Sequence, residues 1–327
     1  MKDLMKINHL STHFNTENGT VKAVNDVSFR VREGETVCIV GESGCGKSVT
    51  AMSIMGLVEE PGGKVVDGQI EFEGRDLLKL SKNELRSLRG NEISMIFQEP
   101  MSSLNPVLKI GQQIMEPLLV HQKLSKKEAR KRAIELIEKV GISRAEQIAD
   151  SYPHELSGGM LQRIMIAIAI SGNPKLLIAD EPTTALDVTI QAQILDILRQ
   201  FKEQNNMSIM LITHDLGVVA EMADYVIVMY AGKIVEEGEV VQLFQSPKHP
   251  YTQGLLKSKP IINQRTDELY SIPGQVPNPL ELTESCYFHD RCQHCMDICR
   301  TKQPVLKEVG EQQKAACWLY EEALLHA

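Results

Sequence analysis

Gly41-Glu42-Ser43-Gly44-Cys45-Gly46-Lys47-Ser48 is the stretch that decides the fold. It reads G-x-x-x-x-G-K-S. An apolar β-type run, Thr36-Val37-Cys38-Ile39-Val40, precedes it, and a helix is expected to follow from Ser48 to Leu57. Strand, loop and helix in that order are the context in which this pattern binds phosphate. Glycines let the backbone wrap closely around phosphate oxygens, while successive N–H groups and the helix N-terminus point at the anion. The pattern assigns Lys47 to the β- and γ-phosphates and the Ser48 hydroxyl to Mg²⁺.

Further along, Leu156-Ser157-Gly158-Gly159-Met160 opens a helical stretch, and the apolar run Leu176-Leu177-Ile178-Ala179 ends in Asp180-Glu181. A buried strand ending in Asp-Glu delivers Asp180 to a Mg²⁺ shell. It leaves Glu181 one residue further on, placed to polarise an attacking water. Ala185-Leu186-Asp187 and, after a second apolar run, Thr213-His214-Asp215 follow; Gln98 lies between the phosphate loop and the Ser-Gly-Gly. Each alone is weak, since Leu-Ser-Gly-Gly suits many turns and a His after a strand is more often a core residue. Their order and spacing carry the reading.

With these motifs in place, the sequence resembles an ATP-binding-cassette ATPase over residues 1–245. The resemblance implies an α/β fold: a P-loop core with an antiparallel β subdomain, a helical subdomain inserted over about 85–170, and a small Cys-rich extension over 246–327. It implies that Gly41, Glu42, Ser43, Gly44, Cys45, Gly46, Lys47 and Ser48 form the Walker A loop and that Asp180 is the Walker B aspartate. Glu181 becomes the catalytic glutamate, His214 the switch histidine, and Gln98 the Q-loop glutamine, which joins Ser48 and Asp180 around Mg²⁺. Asp187 belongs to the D-loop. Phe14 resembles the aromatic residue that stacks on adenine, and Met160 stands where many cassette proteins have Gln. Ser157, Gly158 and Gly159 resemble the signature core, at a helix N-terminus with free N–H donors and a positive dipole end. In cassette ATPases that surface covers nucleotide bound by the opposite subunit. ATP and Mg²⁺ are therefore the implied cofactors and a second cassette the implied partner.

Two more stretches narrow the resemblance. Gln98-Glu99-Pro100-Met101-Ser102-Ser103-Leu104-Asn105-Pro106 and Pro247-Lys248-His249-Pro250-Tyr251-Thr252, with the Cys-rich end, are similar to the ATPase subunits of oligopeptide and dipeptide importers. Nickel, metallophore and glutathione importers share that subfamily. The resemblance implies ATP-driven peptide import with a paralogous second ATPase, two transmembrane permease subunits and an extracytoplasmic binding protein. It places the chain at the cytoplasmic face of the cell membrane. Soluble cassette ATPases of DNA repair or ribosomes form the other class; the double cassettes, long coiled coils and basic extensions usual there are missing from this sequence. Intact Glu181 and His214 count against a subunit that binds nucleotide without hydrolysing it.

Composition sets wider bounds. The 327 residues are 43% hydrophobic and 24% charged, ordinary globular usage, with room for a large core or two modest domains. A formal net charge of −8 argues against a nucleic-acid-coating protein. The longest wholly apolar run, from Ile164 to Ile170, is far short of the roughly twenty residues that span a bilayer. The N-terminus lacks the apolar core and cleavage site of a signal peptide. Membrane association is therefore expected only through partners.

Spacing predicts antiparallel β over the first 35 residues, with Val24, Val27, Phe29 and Val31 on strand periodicity, and another strand within Gly68–Gly74. Ser81-Lys82-Asn83-Glu84 and Ser125-Lys126-Lys127-Glu128 read as capping boxes; after the second, Ala129, Ala133, Leu136, Ile137 and Val140 recur at helical spacing until Gly141. The runs from Leu176 to Ala179, Ile209 to Ile212 and Tyr225 to Met229 read as parallel strands covered on both faces. From Pro247 to Pro279 the chain reads as Pro-rich and irregular.

Of seven cysteines, five fall between 286 and 317, a density that in a cytosolic chain points to metal. Cys292-Gln293-His294-Cys295 is a C-x-x-C, with His289 nearby. Zinc held by Cys or Cys and His fits the spacing, and so does an iron–sulfur cluster on four thiolates. Resemblance tilts the choice. Peptide-importer ATPases of this type have C-x5-C-x6-C and a later Cys, and some are similar to [4Fe–4S] proteins. That implies a [4Fe–4S] site of Cys286, Cys292, Cys299 and Cys317, with Zn²⁺ as the alternative and Cys295 in reserve.

Overall fold

The computed structural model describes residues 2–184, 186–258 and 270–321, so Ala185 and part of the Pro-rich stretch lie outside the described residues. In chain order the elements are β1 (Asp3–Thr16), β2 (Gly19–Arg32), β3 (Thr36–Val40), α1 (Lys47–Ile54), β4 (Gly63–Phe72), β5 (Arg75–Asp76), α2 (Lys82–Leu88), β6 (Ile93–Ile96), α3 (Pro100–Ser103), α4 (Ile110–Val120), α5 (Lys126–Lys139), α6 (Ala145–Ala149), α7 (Gly158–Ser171), β7 (Leu176–Asp180), α8 (Val188–Asn205), β8 (Ser208–Ile212), α9 (Leu216–Met222), β9 (Tyr225–Tyr230), β10 (Lys233–Glu239), α10 (Val240–Gln245), α11 (Pro250–Lys257), β11 (Lys307–Gly310) and β12 (Gln313–Ala315). They fall into two compact units. One is built on Lys79–Ile212 with the first residues and Val31–Thr36; the other holds Met5–Arg30, Val37–Leu78 and the chain from Thr213 onward.

The first unit pairs β6, β7 and β8 in parallel, each strand buried along its length. Both expected capping boxes form, Ser81 with Glu84 and Ser125 with Glu128. The apolar stripe of α5, Ala129, Ala133, Leu136 and Ile137, is buried, and Gly141 turns the chain at a positive φ of 76°. Helix α7 packs against α4, α5 and β6. A strand therefore stands at Ile93–Ile96 inside the range read as helical. Four consecutive apolar or small residues, each buried, carry no period that separates strand from helix.

The second unit contains an antiparallel sheet in the order β2-β1-β4-β5. A further sheet runs β11-β12-β10-β9-β3, parallel only between β3 and β9. Pro250 opens α11 within the stretch read as irregular; proline at a first helical position is a start signal.

Buried Glu236 of β10 organises the stretch before α11. Its carboxylate accepts from the N–H groups of Lys248 (2.7 Å) and His249 (2.8 Å) and from Gln313 Nε2 (2.7 Å). Burial pushes this carboxyl above the usual range, and its hydrogen bonds pull the other way. Glu236→Gln sets an amide NH₂ against the Lys248 and His249 N–H groups, which can only donate. We expect a loss of about 1–3 kcal/mol in urea unfolding, the cost of a buried hydrogen bond left unmade; an unchanged midpoint would contradict this.

Candidate functional site

The phosphate loop bridges β3 and α1. Its shape depends on glycine at two positions. Gly41 sits at φ 151°, and a Cβ there would lie 2.2 Å from the Met229 carbonyl oxygen. Gly46 sits at φ 101°, where a Cβ would lie 2.4 Å from the Ala23 carbonyl oxygen. Both conformations are ones that L side chains rarely adopt. Buried Lys47 arches back over the loop and donates to the carbonyls of Gly41 (2.8 Å) and Glu42 (3.0 Å). Those bonds fix its ammonium over the mouth of the loop. Ser48 lies in the first turn of α1, and Cys45 is buried with its thiol pushed up by burial. Ser43 and Gly44 lie toward the surface, and a Cβ on Gly44 would meet nothing within 4 Å.

His214 follows β8, is exposed, and lies in the same unit as the loop. A cavity of about 450 Å³ is lined by Val40, Gly41, Glu42, His214, Asp215 and Leu255, so the start of the loop and the predicted switch histidine share one wall. Asp215 caps α9 by accepting from the Gly217 N–H at 2.7 Å, which orients the turn that carries His214. Phe14 is half-buried on β1 opposite Gly63 of β4; its ring lies where a Gly63 Cβ would fall, at 2.6 Å.

The other predicted residues lie in the first unit. Asp180 ends β7 and is buried. Glu181 follows at φ 47°, a left-handed backbone held by its N–H to the Ile212 carbonyl (2.9 Å). A non-glycine residue in that region costs of order 1–3 kcal/mol and is typical of functional positions. One carboxylate oxygen of Glu181 accepts from both Gln98 Nε2 (3.2 Å) and Thr184 Oγ1 (2.8 Å). The structure thus brings Gln98 and Glu181 together from 83 positions apart. Thr184 was not singled out from the sequence; only its nearness to Asp180-Glu181 could have flagged it. Ser157 caps α7 by accepting from the Met160 N–H (3.4 Å), and Gly158 faces open space. Buried Gln162 of α7 donates to the Pro182 carbonyl (2.7 Å), tying the Ser-Gly-Gly helix to the segment after Glu181. Asp187 caps α8 through the Ile190 N–H (2.9 Å).

The C-terminal cysteines gather in the second unit, all as free thiols. The Cys286 N–H donates to the Cys299 carbonyl at 2.8 Å. Burial pushes the Cys286 thiol up to about 12 and the Cys317 thiol up to about 11, and nearby Cys292 and Cys299 push both the same way. Cys295 is close enough to Cys299 to be raised by it, after burial. Thiolates as a ligand type would suit a soft metal. Among the described residues, no group of three or more His, Cys, Asp or Glu is set to hold a single metal ion. Both His289 ring nitrogens are engaged, Nδ1 with the Cys286 carbonyl and Nε2 with Asp290, which leaves that histidine a poor zinc ligand. No described helix is long and apolar enough to cross a membrane.

Residues 24–184 match the ABC transporter family, and residues 235–299 match the C-terminal region of oligopeptide/dipeptide transporters. The chain is 56% identical over 322 residues to an oligopeptide transport ATP-binding protein, AppD, of Bacillus subtilis, covering 98% of each chain. It is 49% identical over 314 residues to a dipeptide transport ATP-binding protein, DppD, of Escherichia coli, covering 96% of each. Among solved structures, a dimeric ATP-binding cassette in a post-hydrolysis state bound to ADP and Pi matches with a TM-score of 0.66 and 28% identity, over 72% of this chain and 98% of that one.

Gly41→Ala tests the loop geometry. The added Cβ has to displace the Met229 carbonyl, so MgATP affinity should fall at least about tenfold in calorimetric titration, with the melting transition retained. Wild-type affinity would show that the cradle tolerates a side chain there.

Proposed function

The chain belongs to the ATP-binding-cassette transporter family, and we propose that it hydrolyses ATP to power import of di- or oligopeptides through membrane permease subunits. One observation carries this reading. A match to the ABC transporter family at 24–184 is followed in the same chain by a match to the oligopeptide/dipeptide transporter C-terminal region at 235–299. The high identity to AppD and DppD over nearly their full lengths supports the peptide class of cargo.

In this reading the 41–48 backbone and Lys47 hold the β- and γ-phosphates, and Phe14 meets the adenine. Ser48, Gln98 and Asp180 would hold Mg²⁺, which supplies charge neutralisation on the phosphates. Glu181 accepts a proton from the attacking water, Gln98 and Thr184 orient its carboxylate, and His214 acts on the γ-phosphate side. Ser157, Gly158 and Gly159 would present N–H donors at the start of α7 to nucleotide held by a second, paralogous cassette. The dimeric form of a related cassette supports that arrangement. Contact with the cytoplasmic face of the membrane runs through two permease subunits, with an extracytoplasmic binding protein supplying the peptide. Residues 1–245 form the cassette in this division, with the helical part at about 85–170, and 246–327 the extension.

For the extension, we infer a [4Fe–4S] cluster on Cys286, Cys292, Cys299 and Cys317. The density of five cysteines between 286 and 317 motivates it. Thiolate ligation would release protons, and binding energy would become folding energy for the segment.

Two measurements follow. In the assembled transporter, Glu181→Gln should bind MgATP but turn over at least about a hundredfold more slowly, while Lys47→Ala loses nucleotide binding itself; near-normal turnover of the Glu181 variant would remove its role. Anaerobically purified protein should be brown with about four iron per chain, and Cys317→Ser should lose the colour while Cys295→Ser keeps it. Colourless protein with a single zinc would retain the site and reject the iron.

A further inference from the structure

Arg291 belongs to the Cys-rich extension, next to Cys292, yet its guanidinium reaches the phosphate loop. Nη1 donates to Glu42 Oε2 at 2.7 Å and Nη2 to Glu42 Oε1 at 3.0 Å, a bidentate pair. The remaining donors are also engaged: Nε with the Pro273 carbonyl (3.0 Å), Nη1 with Tyr230 Oη (3.3 Å) and Nη2 with the Ile272 carbonyl (3.4 Å). All five guanidinium N–H groups thus have acceptors. The Arg291 side chain is 5% exposed and that of Glu42 is 28% exposed. The guanidinium also lies over the rings of Tyr230 and Phe288, at 5.8 and 5.9 Å.

Glu42 is pinned at every polar group. Its carboxylate meets Arg291, its N–H donates to Tyr251 Oη at 2.9 Å, and its carbonyl accepts from Lys47. Tyr251 and Phe288 are themselves in ring contact, with centroids 5.5 Å apart. The loop that receives a polyanion therefore carries a carboxylate at its second position. Unneutralised, that charge would repel the phosphates through a partly buried, weakly screened path.

We propose that Arg291 is a positioning residue of the nucleotide site: it cancels the Glu42 charge and fixes the entry of the phosphate loop, so the C-terminal extension is part of the ATP-binding apparatus. This rests on the nucleotide reading of the loop given above. The pairing is a property of this chain's two distant segments, 249 residues apart in sequence.

The test is a charge cycle on the full-length chain, with MgADP affinity measured by calorimetry at low and high salt. Arg291→Met should weaken MgADP at least about tenfold, and less so at high salt. Glu42→Gln should bind more tightly than wild type, because it leaves an uncompensated positive charge. The double variant should recover to within about threefold of wild type. Arg291→Lys should fall between wild type and Arg291→Met, since it keeps the charge but not the fork. Wild-type affinity in Arg291→Met overturns the proposal. So does a double variant as weak as Arg291→Met, which would mark the arginine as a packing element only. If Arg291→Met lacks a melting transition, Glu42→Gln and Arg291→Lys decide: weakening of both by the same factor overturns it. Failure of the wild-type chain to bind MgADP would instead remove the nucleotide reading, which keeps the two failures apart.

Discussion

A polyphosphate has to be held by backbone N–H groups, and backbone converges on an anion only where no Cβ intervenes. That constraint shapes the second unit. Gly41 and Gly46 adopt conformations that L side chains rarely take, and each lies against a carbonyl oxygen that a methyl group would strike. β3, buried throughout and paired in parallel with β9, delivers the loop at its C-terminal end. α1 receives it with Lys47 and Ser48 in its first turn. Lys47 gains its aim from the carbonyls of Gly41 and Glu42, so the cation proposed to meet the phosphates is oriented by the loop itself.

The first unit holds the groups proposed to act in hydrolysis. Glu181 is held in left-handed backbone with two donors, Gln98 and Thr184, on one carboxylate oxygen. Gln162 couples the helix behind Ser157-Gly158-Gly159 to the residues just after Glu181. In the proposed mechanism, that hydrogen bond links the helix that would meet a second cassette to the segment just after the residue that would activate water.

Much of this was legible in the sequence because the chemistry leaves few substitutes. A phosphate loop needs glycine at set positions, a capping box needs Ser and Glu three apart, and buried parallel strands need apolar runs. The runs read from Leu176, Ile209 and Tyr225 match β7, β8 and β9 within a residue at each end. Local spacing was blind to two kinds of feature. Short elements such as β6, β11 and β12 are settled by pairing partners rather than by their own period. Long-range polar contacts such as Arg291 with Glu42, Tyr251 with the Glu42 amide, and Glu236 with the 248–249 backbone join segments whose composition gives no hint of one another. The Pro247–Thr252 stretch was flagged by resemblance, but its physical purpose, to seat His249 and Tyr251 against the loop and the extension, emerges only in three dimensions.

If Arg291 joins the phosphate loop to the C-terminal extension as proposed, the two respond to nucleotide as one element. Hydrogen–deuterium exchange of the full-length chain, with and without MgATP, measures this. Exchange should slow in peptides covering 41–48 and, with the same nucleotide dependence, in peptides covering 286–292. Protection confined to the loop would break the link to the extension, and no protection in either would remove the nucleotide site as well.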